Sequence, residues 1–206
     1  MHKKIVVSAI AAIAALSAGV AHAESPWMVR ARAVNLDWDN KNADNLQNAG
    51  VGDVSAKKRW IPEVDISYFF TPNIAAELVL TYPQDVDIQT SALGKIGKVQ
   101  ALPPSLLVQY HFTELGAFKP YVGLGVNYTI FTKKSFDTAL GTVSVDRASF
   151  GFAAQVGADY KLDKNWSLNV DAKYIQMDTD VKLGGSKIGK LDLNPVTWGV
   201  GVGYRF

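Results

Sequence analysis

The chain has 206 residues, 48% of them hydrophobic, with 21 Lys and Arg against 19 Asp and Glu, and it has no Cys. Its length suits one domain with a sizeable interior, and its near balance of charge excludes the nucleic-acid-binding class, which needs a basic face. The absence of Cys excludes the small secreted proteins that disulfides hold together.

The N-terminus has the features of a secretory signal peptide. A short basic head and an apolar run from Ile5 to Val20 precede Ala21-His22-Ala23, which places small residues at a cleavage site. The apolar run is shorter than the roughly 20 residues that a helix needs to cross a bilayer. We predict that residues 1–23 are cleaved and that residues 24–206 form one exported domain. Loss of the two lysines in the head leaves 19 basic and 19 acidic residues.

Beyond the signal peptide no apolar stretch is long enough for a transmembrane helix, so a membrane-spanning form would have to use strands. Apolar residues alternate with polar or small ones, a period that is typical of strands with two different environments. The alternation predicts eight strands, at residues 27–38, 60–70, 74–82, 102–112, 120–132, 150–160, 166–174 and 196–206. In the first strand we place Arg30 and Arg32 inside, because an Arg facing lipid at mid-membrane costs about 2–4 kcal/mol.

The connections between these strands alternate in length. Those at 71–73, 113–119 and 161–165 are short, whereas the segments near 39–59, 83–98, 133–148 and 178–192 are long and polar. Outer-membrane barrels have short periplasmic turns and longer external loops. The sequence therefore predicts an all-β fold: an eight-stranded antiparallel up-and-down transmembrane β-barrel with four long extracellular loops. Such a chain is integral to a Gram-negative outer membrane and contacts its lipid and lipopolysaccharide.

Aromatic residues on the apolar faces support this interpretation. They cluster at both ends of the strands, as amphipathic rings do at the two water interfaces. Those at the predicted periplasmic end are Tyr68, Phe70, Tyr110, Phe112, Tyr160, Trp166, Tyr204 and Phe206, and those nearer the loops are Trp60, Tyr82, Tyr128, Tyr174 and Trp198. A soluble barrel would enclose these rings, and eight strands leave too little space for them.

The chain ends in an alternating strand, Val200 to Phe206, with an aromatic residue last. A closed barrel pairs its final strand with its first, since an open edge is prone to aggregation. The ending resembles the C-terminal signal of outer-membrane proteins, and we expect the barrel-assembly machinery to bind the strand that ends at Phe206.

Four segments resemble the OmpW family of outer-membrane proteins. They are Leu102-Pro103-Pro104-Ser105-Leu106-Leu107-Val108-Gln109-Tyr110-His111-Phe112, Pro120-Tyr121-Val122-Gly123-Leu124-Gly125-Val126-Asn127-Tyr128-Thr129, Gln155-Val156-Gly157-Ala158-Asp159-Tyr160 with Trp166, and Gly199 to Phe206. The resemblance covers essentially the whole of 24–206. It implies an eight-stranded barrel whose narrow hydrophobic interior passes or binds small apolar molecules.

The inward positions divide the predicted lumen into two halves. Apolar residues collect in the loop half and at its floor: Leu36, Ile61, Val79, Leu107, Phe131, Ile175, Met177 and Leu193. Charged residues collect below them: Arg30, Arg32, Glu63, Asp65, Glu77, Asp171 and Lys173. Inward charges need partners, because a lone desolvated charge is costly. The pattern predicts an external hydrophobic pocket above a plug of paired charges, although the apolar residues could instead simply fill a small barrel.

We therefore expect a narrow channel or binding pocket for uptake of small hydrophobic molecules. The alternative is a surface receptor or structural barrel that acts through its external loops without transport. An enzyme is not expected, because the one histidine after the signal peptide, His111, lies at the periplasmic end of its strand, away from the external rim. No His and Cys cluster indicates zinc and no Gly-rich strand-to-helix turn indicates phosphate, so we expect no metal and no cofactor.

Overall fold

The computed structural model describes residues 25–37, 54–55, 59–90, 94–132, 135–138, 141–183 and 185–206. The predicted signal peptide, 1–23, and its cleavage site lie outside the described residues. Within these ranges no helix has the length and apolar character that a membrane-spanning helix requires.

The described residues form fifteen strands. In chain order they are β1 (Trp27–Asp37), β2 (Val54–Ser55), β3 (Arg59–Phe69), β4 (Ile74–Thr81), β5 (Gln84–Thr90), β6 (Gly94–Leu102), β7 (Ser105–His111), β8 (Phe118–Thr132), β9 (Ser135–Thr138), β10 (Gly141–Val145), β11 (Ala148–Lys161), β12 (Trp166–Ile175), β13 (Asp178–Leu183), β14 (Ser186–Asp192) and β15 (Val196–Arg205).

Eight of these strands close into an antiparallel barrel in the order β1, β3, β4, β7, β8, β11, β12, β15, and β15 then pairs with β1. Closure pairs the first strand with the last and leaves no open edge between them. A membrane-spanning sheet has to be closed in this way, because lipid cannot pair its backbone groups. Ser25 N–H donates to the Phe206 carbonyl at 2.8 Å and Phe206 N–H to the Trp27 carbonyl at 3.2 Å, so the C-terminus completes the seam. The predicted eight-stranded barrel is confirmed.

Three of the four predicted loops contain a hairpin of their own, and β2 in the fourth pairs with β5. β5 pairs with β6, β9 with β10 and β13 with β14, and the last four form a second sheet in the order β14-β13-β10-β9. The polar composition of these segments gave no period of two, because a hairpin outside the membrane satisfies its backbone by pairing and needs no apolar face. Most of the fourth predicted loop, 39–59, lies outside the described residues.

The predicted strand at 102–112 is interrupted. β6 ends at Leu102 and β7 begins at Ser105, with Pro103 and Pro104 between them. Proline has no backbone N–H to donate to a ladder, so the pairing with β4 ends at Ser105, whereas the Pro104 carbonyl still accepts from the Tyr128 N–H of β8 at 3.1 Å. β8 runs past the break without a shift, since Leu102 lies opposite Ile130 and Ser105 opposite Asn127.

Side-chain exposure alternates along the barrel strands. Leu124 and Val108 are 63% and 60% exposed on the outer face, whereas Asp65 and Glu77 are fully buried inside. Outer rings contact one another at each end: Trp166 with Tyr204 at 4.9 Å between centroids, and Trp60 with Trp198 at 5.0 Å. The outer surface therefore has an aliphatic band between two aromatic groups, the surface that a bilayer solvates.

Replacing Leu124 with Arg tests this orientation. Leu124 lies near the middle of β8, and we expect Leu124→Arg to lower the free energy of unfolding by about 2–4 kcal/mol, the cost of a cation at the bilayer midplane. The measurement is urea unfolding of the protein refolded into lipid vesicles. The matched control is Leu115→Arg in the short turn before β8, where the exposed side chain lies outside the strands and little change is expected. Equal losses in both variants would contradict the orientation.

Candidate functional site

Arg30 on β1 is the centre of a buried ion cluster in the lumen. Its guanidinium binds the Asp159 carboxylate with two donors, Nη2 at 2.7 Å from Oδ2 and Nε at 3.1 Å from Oδ1. Nη1 donates to Asp65 Oδ1 at 3.1 Å and to Ser67 Oγ at 2.9 Å. The pair with Asp159 has the bidentate geometry that makes Arg–carboxylate contacts strong and directional.

Arg32, two residues along β1, lies above Arg30 and shares a partner with it. Its Nη2 is 2.7 Å from Asp65 Oδ2, so one carboxylate bridges both arginines. Its Nε is 2.9 Å from Glu63 Oε1, close enough for an ion pair although the N–H is not aligned for a hydrogen bond. Weaker ion pairs of 3.4 Å reach Glu77 and Asp171.

Lys173 on β12 closes the cluster from the far wall. Its ammonium lies 2.9 Å from Glu63 Oε1 and also pairs with Asp171. Among the described residues, three cations and five carboxylates thus form one connected network. Neutral donors satisfy further carboxylate oxygens: Gln155 Nε2 donates to Asp171 at 2.7 Å and Asn169 Nδ2 to Asp159 at 2.9 Å. We call the three cations and five carboxylates the ion network.

Tyr121 is a member of the site that the sequence did not single out. Its hydroxyl donates to Asp171 Oδ2 at 2.9 Å and accepts from Asn169 at 3.1 Å, and its ring lies 5.4 Å from the Arg30 guanidinium carbon. The residue opposite must be small, because a Cβ on Gly157 would overlap the ring. The available signal was its position between the outward Pro120 and Val122 of β8.

The apolar residues predicted for the external half all lie inside the barrel. Each is buried to 6% exposure or less: Leu36, Ile61, Val79, Leu107, Phe131, Ile175, Met177 and Leu193. Val79 and Leu107 pack in one cluster with Ala153. Leu107 lies opposite Glu77 in the ladder, so this cluster meets the ion network directly. The lumen lining therefore changes from apolar to ionic within one step along the strands.

His111 lies on the other side of the ion network. Its Nε2 is 2.9 Å from Gln109 Oε1, and its ring packs 4.9 Å from the rings of Phe69 and Tyr121. Gln109 in turn donates to Gln155 Oε1 at 3.0 Å. The polar partner of this histidine among the described residues is an amide, an arrangement that orients the ring within the lumen.

Comparison with known proteins places this chain among outer-membrane barrels. The model of the OmpW family matches residues 24–206. The uncharacterized outer-membrane protein y4mB of Sinorhizobium fredii (strain NBRC 101917 / NGR234) is 42% identical over 201 residues, 94% of this chain and 86% of that protein. Outer membrane protein W of Vibrio cholerae is 33% identical, covering 98% of this chain and all of that protein. The dibenzothiophene metabolism operon protein PahQ of Pseudomonas aeruginosa is 27% identical, covering 89% and 90%.

Solved structures give the same result. The crystal structure of OprG from Pseudomonas aeruginosa superposes with a TM-score of 0.69 at 25% identity, covering 91% of this chain and 99% of that one. The solid-state NMR structure of AlkL in lipid bilayers superposes with a TM-score of 0.68 at 29% identity, covering 92% and 94%.

Removing one cation should expose the dependence of the barrel on the ion network. We expect Arg30→Met to cost about 3–5 kcal/mol of unfolding free energy, because Asp159 loses its cationic partner and Asp65 keeps only Arg32. The double variant Arg30→Met/Asp159→Leu should be more stable than Arg30→Met alone. Urea unfolding in vesicles measures both.

The matched control is Lys182→Met, which breaks an ion pair of 2.6 Å with Asp146 in which both side chains are more than a third exposed. Such pairs contribute little, so the unfolding midpoint should hardly move. If Arg30→Met were as mild as Lys182→Met, the ion network would not stabilise the barrel.

Proposed function

Because the chain belongs to the OmpW family of outer-membrane proteins, we propose that it takes up small hydrophobic molecules through the external half of its lumen. Family, fold and outer-membrane location agree with the sequence predictions and are confirmed. The single observation that carries the proposal is the division of the lumen into an ionic half and an external half that holds the apolar side chains together with neutral polar ones such as Asn127, Thr129 and Thr197. One relative bears a name that refers to dibenzothiophene metabolism, the chemistry of an aromatic and sparingly soluble compound.

The apolar half suits capture of a solute from outside. A hydrophobic molecule crosses the polar saccharide layer of the outer membrane poorly. A hydrophobic opening beyond that layer lowers the free-energy barrier to its entry. The side chains there fill most of the space, and entry requires them to move. Met177 follows β12 and Leu193 precedes β15, where the chain leaves and re-enters the barrel, and the Leu193 N–H donates to the Met177 carbonyl at 2.9 Å. An unbranched Met adapts its shape to a guest more readily than a branched side chain does.

The ion network opposes straight passage. An apolar solute that entered it would separate buried charges from their partners, at a cost of several kcal/mol. We infer that the solute leaves the lumen by another route.

The break at Pro103 and Pro104 offers that route. The ladder between β4 and β7 ends at Val79 and Ser105, at the level where the apolar lining begins. Beyond that pair, the Thr81 hydroxyl is buried with no hydrogen-bond partner among the described residues. The wall is thus weakest at the floor of the apolar half. We propose that the solute passes sideways between β4 and β7 into the lipid.

For assembly, we propose that the barrel-assembly machinery binds the C-terminal strand ending at Phe206. The strand closes the seam with β1 over ten residue pairs, so a folding factor that held it would control closure.

Charges placed in the apolar half should block uptake. We expect Ile61→Asp combined with Phe131→Asp to slow uptake of N-phenyl-1-naphthylamine by cells at least tenfold, because the solute would have to contact unpaired carboxylates. The control is Ile61→Leu with Phe131→Leu, which keeps the lining apolar. Membrane abundance and heat-modifiable migration on gels verify that each variant is folded. Unchanged uptake would remove the pocket, and loss of uptake only on exchanging the external hairpins would favour the receptor alternative.

Repairing the wall should slow release into lipid. Pro103→Val with Pro104→Val restores two backbone donors, of which the one at 103 faces β4 and the one at 104 faces β8, and we expect uptake to fall several-fold while binding of the probe is kept. Pro62→Val is the matched control, since Pro62 also lies on a lipid face, opposite Ala33 on β1. An equal effect of the control, or none of the double variant, would contradict sideways exit.

A further inference from the structure

A cavity of about 190 Å³ lies at the periplasmic mouth of the barrel. All three short turns contribute to its wall, through Pro72, Thr113 and Lys164. The ion network separates it from the apolar external half. Uptake through the external half, as proposed above, does not use this cavity.

One side of the cavity is apolar. Met28 and Phe69 are buried there and pack together with Ala75. In size, a dry apolar cavity of about 150 Å³ is known to accept benzene. The periplasmic cavity thus has room for one aromatic ring and a small polar group.

Basic side chains outnumber acidic ones in the rest of the lining, and one of them, Arg205, lies over the Phe69 ring at 4.2 Å from its centroid. Lys119, Lys161, Lys164 and Arg205 line the cavity together with two acids. Asp159 is already bound by two donors of Arg30. Asp163 accepts the backbone N–H groups of Asn165 at 2.8 Å and Trp166 at 2.7 Å. These hydrogen bonds lower the pKa of Asp163, and they commit its carboxylate to the turn.

A buried hydroxyl completes the wall. Ser167 at the start of β12 is 3% exposed and lines the cavity, and its Oγ has no hydrogen-bond partner within the described ranges. Buried polar atoms in native proteins are nearly always paired, so an unpaired one calls for an explanation. A ligand oxygen in the cavity would supply the missing acceptor.

We propose that the periplasmic cavity binds a small aromatic carboxylate. The ring lies on Met28 and Phe69, the carboxylate faces the lysine ammonium groups, and the Ser167 hydroxyl donates to it. An ammonium has three donors, so Lys119, which donates to the Thr113 carbonyl, keeps capacity for an anion. Neither a bare inorganic anion nor a neutral aromatic compound uses both halves of the cavity.

Calorimetric titration of the protein in lipid nanodiscs with benzoate tests the proposal. We expect saturable binding, with benzyl alcohol and inorganic phosphate each at least tenfold weaker. Ser167→Ala should weaken benzoate binding several-fold without affecting folding, because it removes a hydroxyl that has no partner among the described residues. Lys164→Gln should weaken it similarly, whereas Lys182→Gln in the external β13 should not.

Specific outcomes would overturn the proposal. If phosphate bound as tightly as benzoate, the site would recognise negative charge alone. If benzyl alcohol bound as tightly as benzoate, the site would recognise the apolar ring alone. Benzoate binding that Ser167→Ala and Lys164→Gln leave unchanged would lie elsewhere. The Ile61→Asp and Phe131→Asp variant separates the two sites, because it should bind benzoate like the unaltered protein even where uptake is lost.

Discussion

The buried ion network is the constraint on which this barrel depends, because every charge within the hydrocarbon layer has to lie inside and has to be paired. Arg30 and Arg32 on β1 reach Asp65 on β3, Glu77 on β4, Asp159 on β11 and Asp171 on β12. A slip of one residue in β1 would turn both arginines toward lipid. Side-chain pairing across the lumen and the register of the strands therefore specify each other.

The large side chains at the centre of the barrel also require small residues on the strands next to them. The arginines lie opposite glycines on β15, Arg32 facing Gly201 and Arg30 facing Gly203. A Cβ on Gly201 would overlap the Ala31 carbonyl and the Arg32 side chain, so the close approach of these two strands requires glycine there. Gly157 makes the same allowance for the Tyr121 ring. Large polar side chains can fill the centre of the barrel because the neighbouring strands carry glycine, which has no side chain, at the facing positions.

The alternation of side chains was enough to predict the eight strands, their inner and outer faces, and which residues point into the lumen. It was not enough to identify Tyr121 as a hydrogen-bonding partner of the ion network. A tyrosine is common on both the lipid face and the lumen face of a strand, and only its neighbours across the lumen decide its role. The external hairpins had no period to detect, since pairing in water needs none. The two prolines at 103 and 104 are evident in the sequence. Which neighbouring strand loses its pairing there is known only from the order of the strands in the barrel. The periplasmic cavity arises where three turns meet, and no local pattern encodes that meeting.

The relative cost of the two routes out of the lumen follows from the same physics. To pass straight down, a solute must separate ion pairs that are almost wholly buried, and each uncompensated charge costs several kcal/mol. To pass sideways below the external loops, it must push apart β4 and β7 where Pro103 has already removed one backbone donor. An amide hydrogen bond in an apolar medium is worth about 4–6 kcal/mol, so each donor missing from the wall lowers the barrier to separation by a comparable amount. A barrel that holds its centre shut with charge and leaves a gap in its ladder just above thereby favours exit into the membrane, where an apolar solute is most soluble.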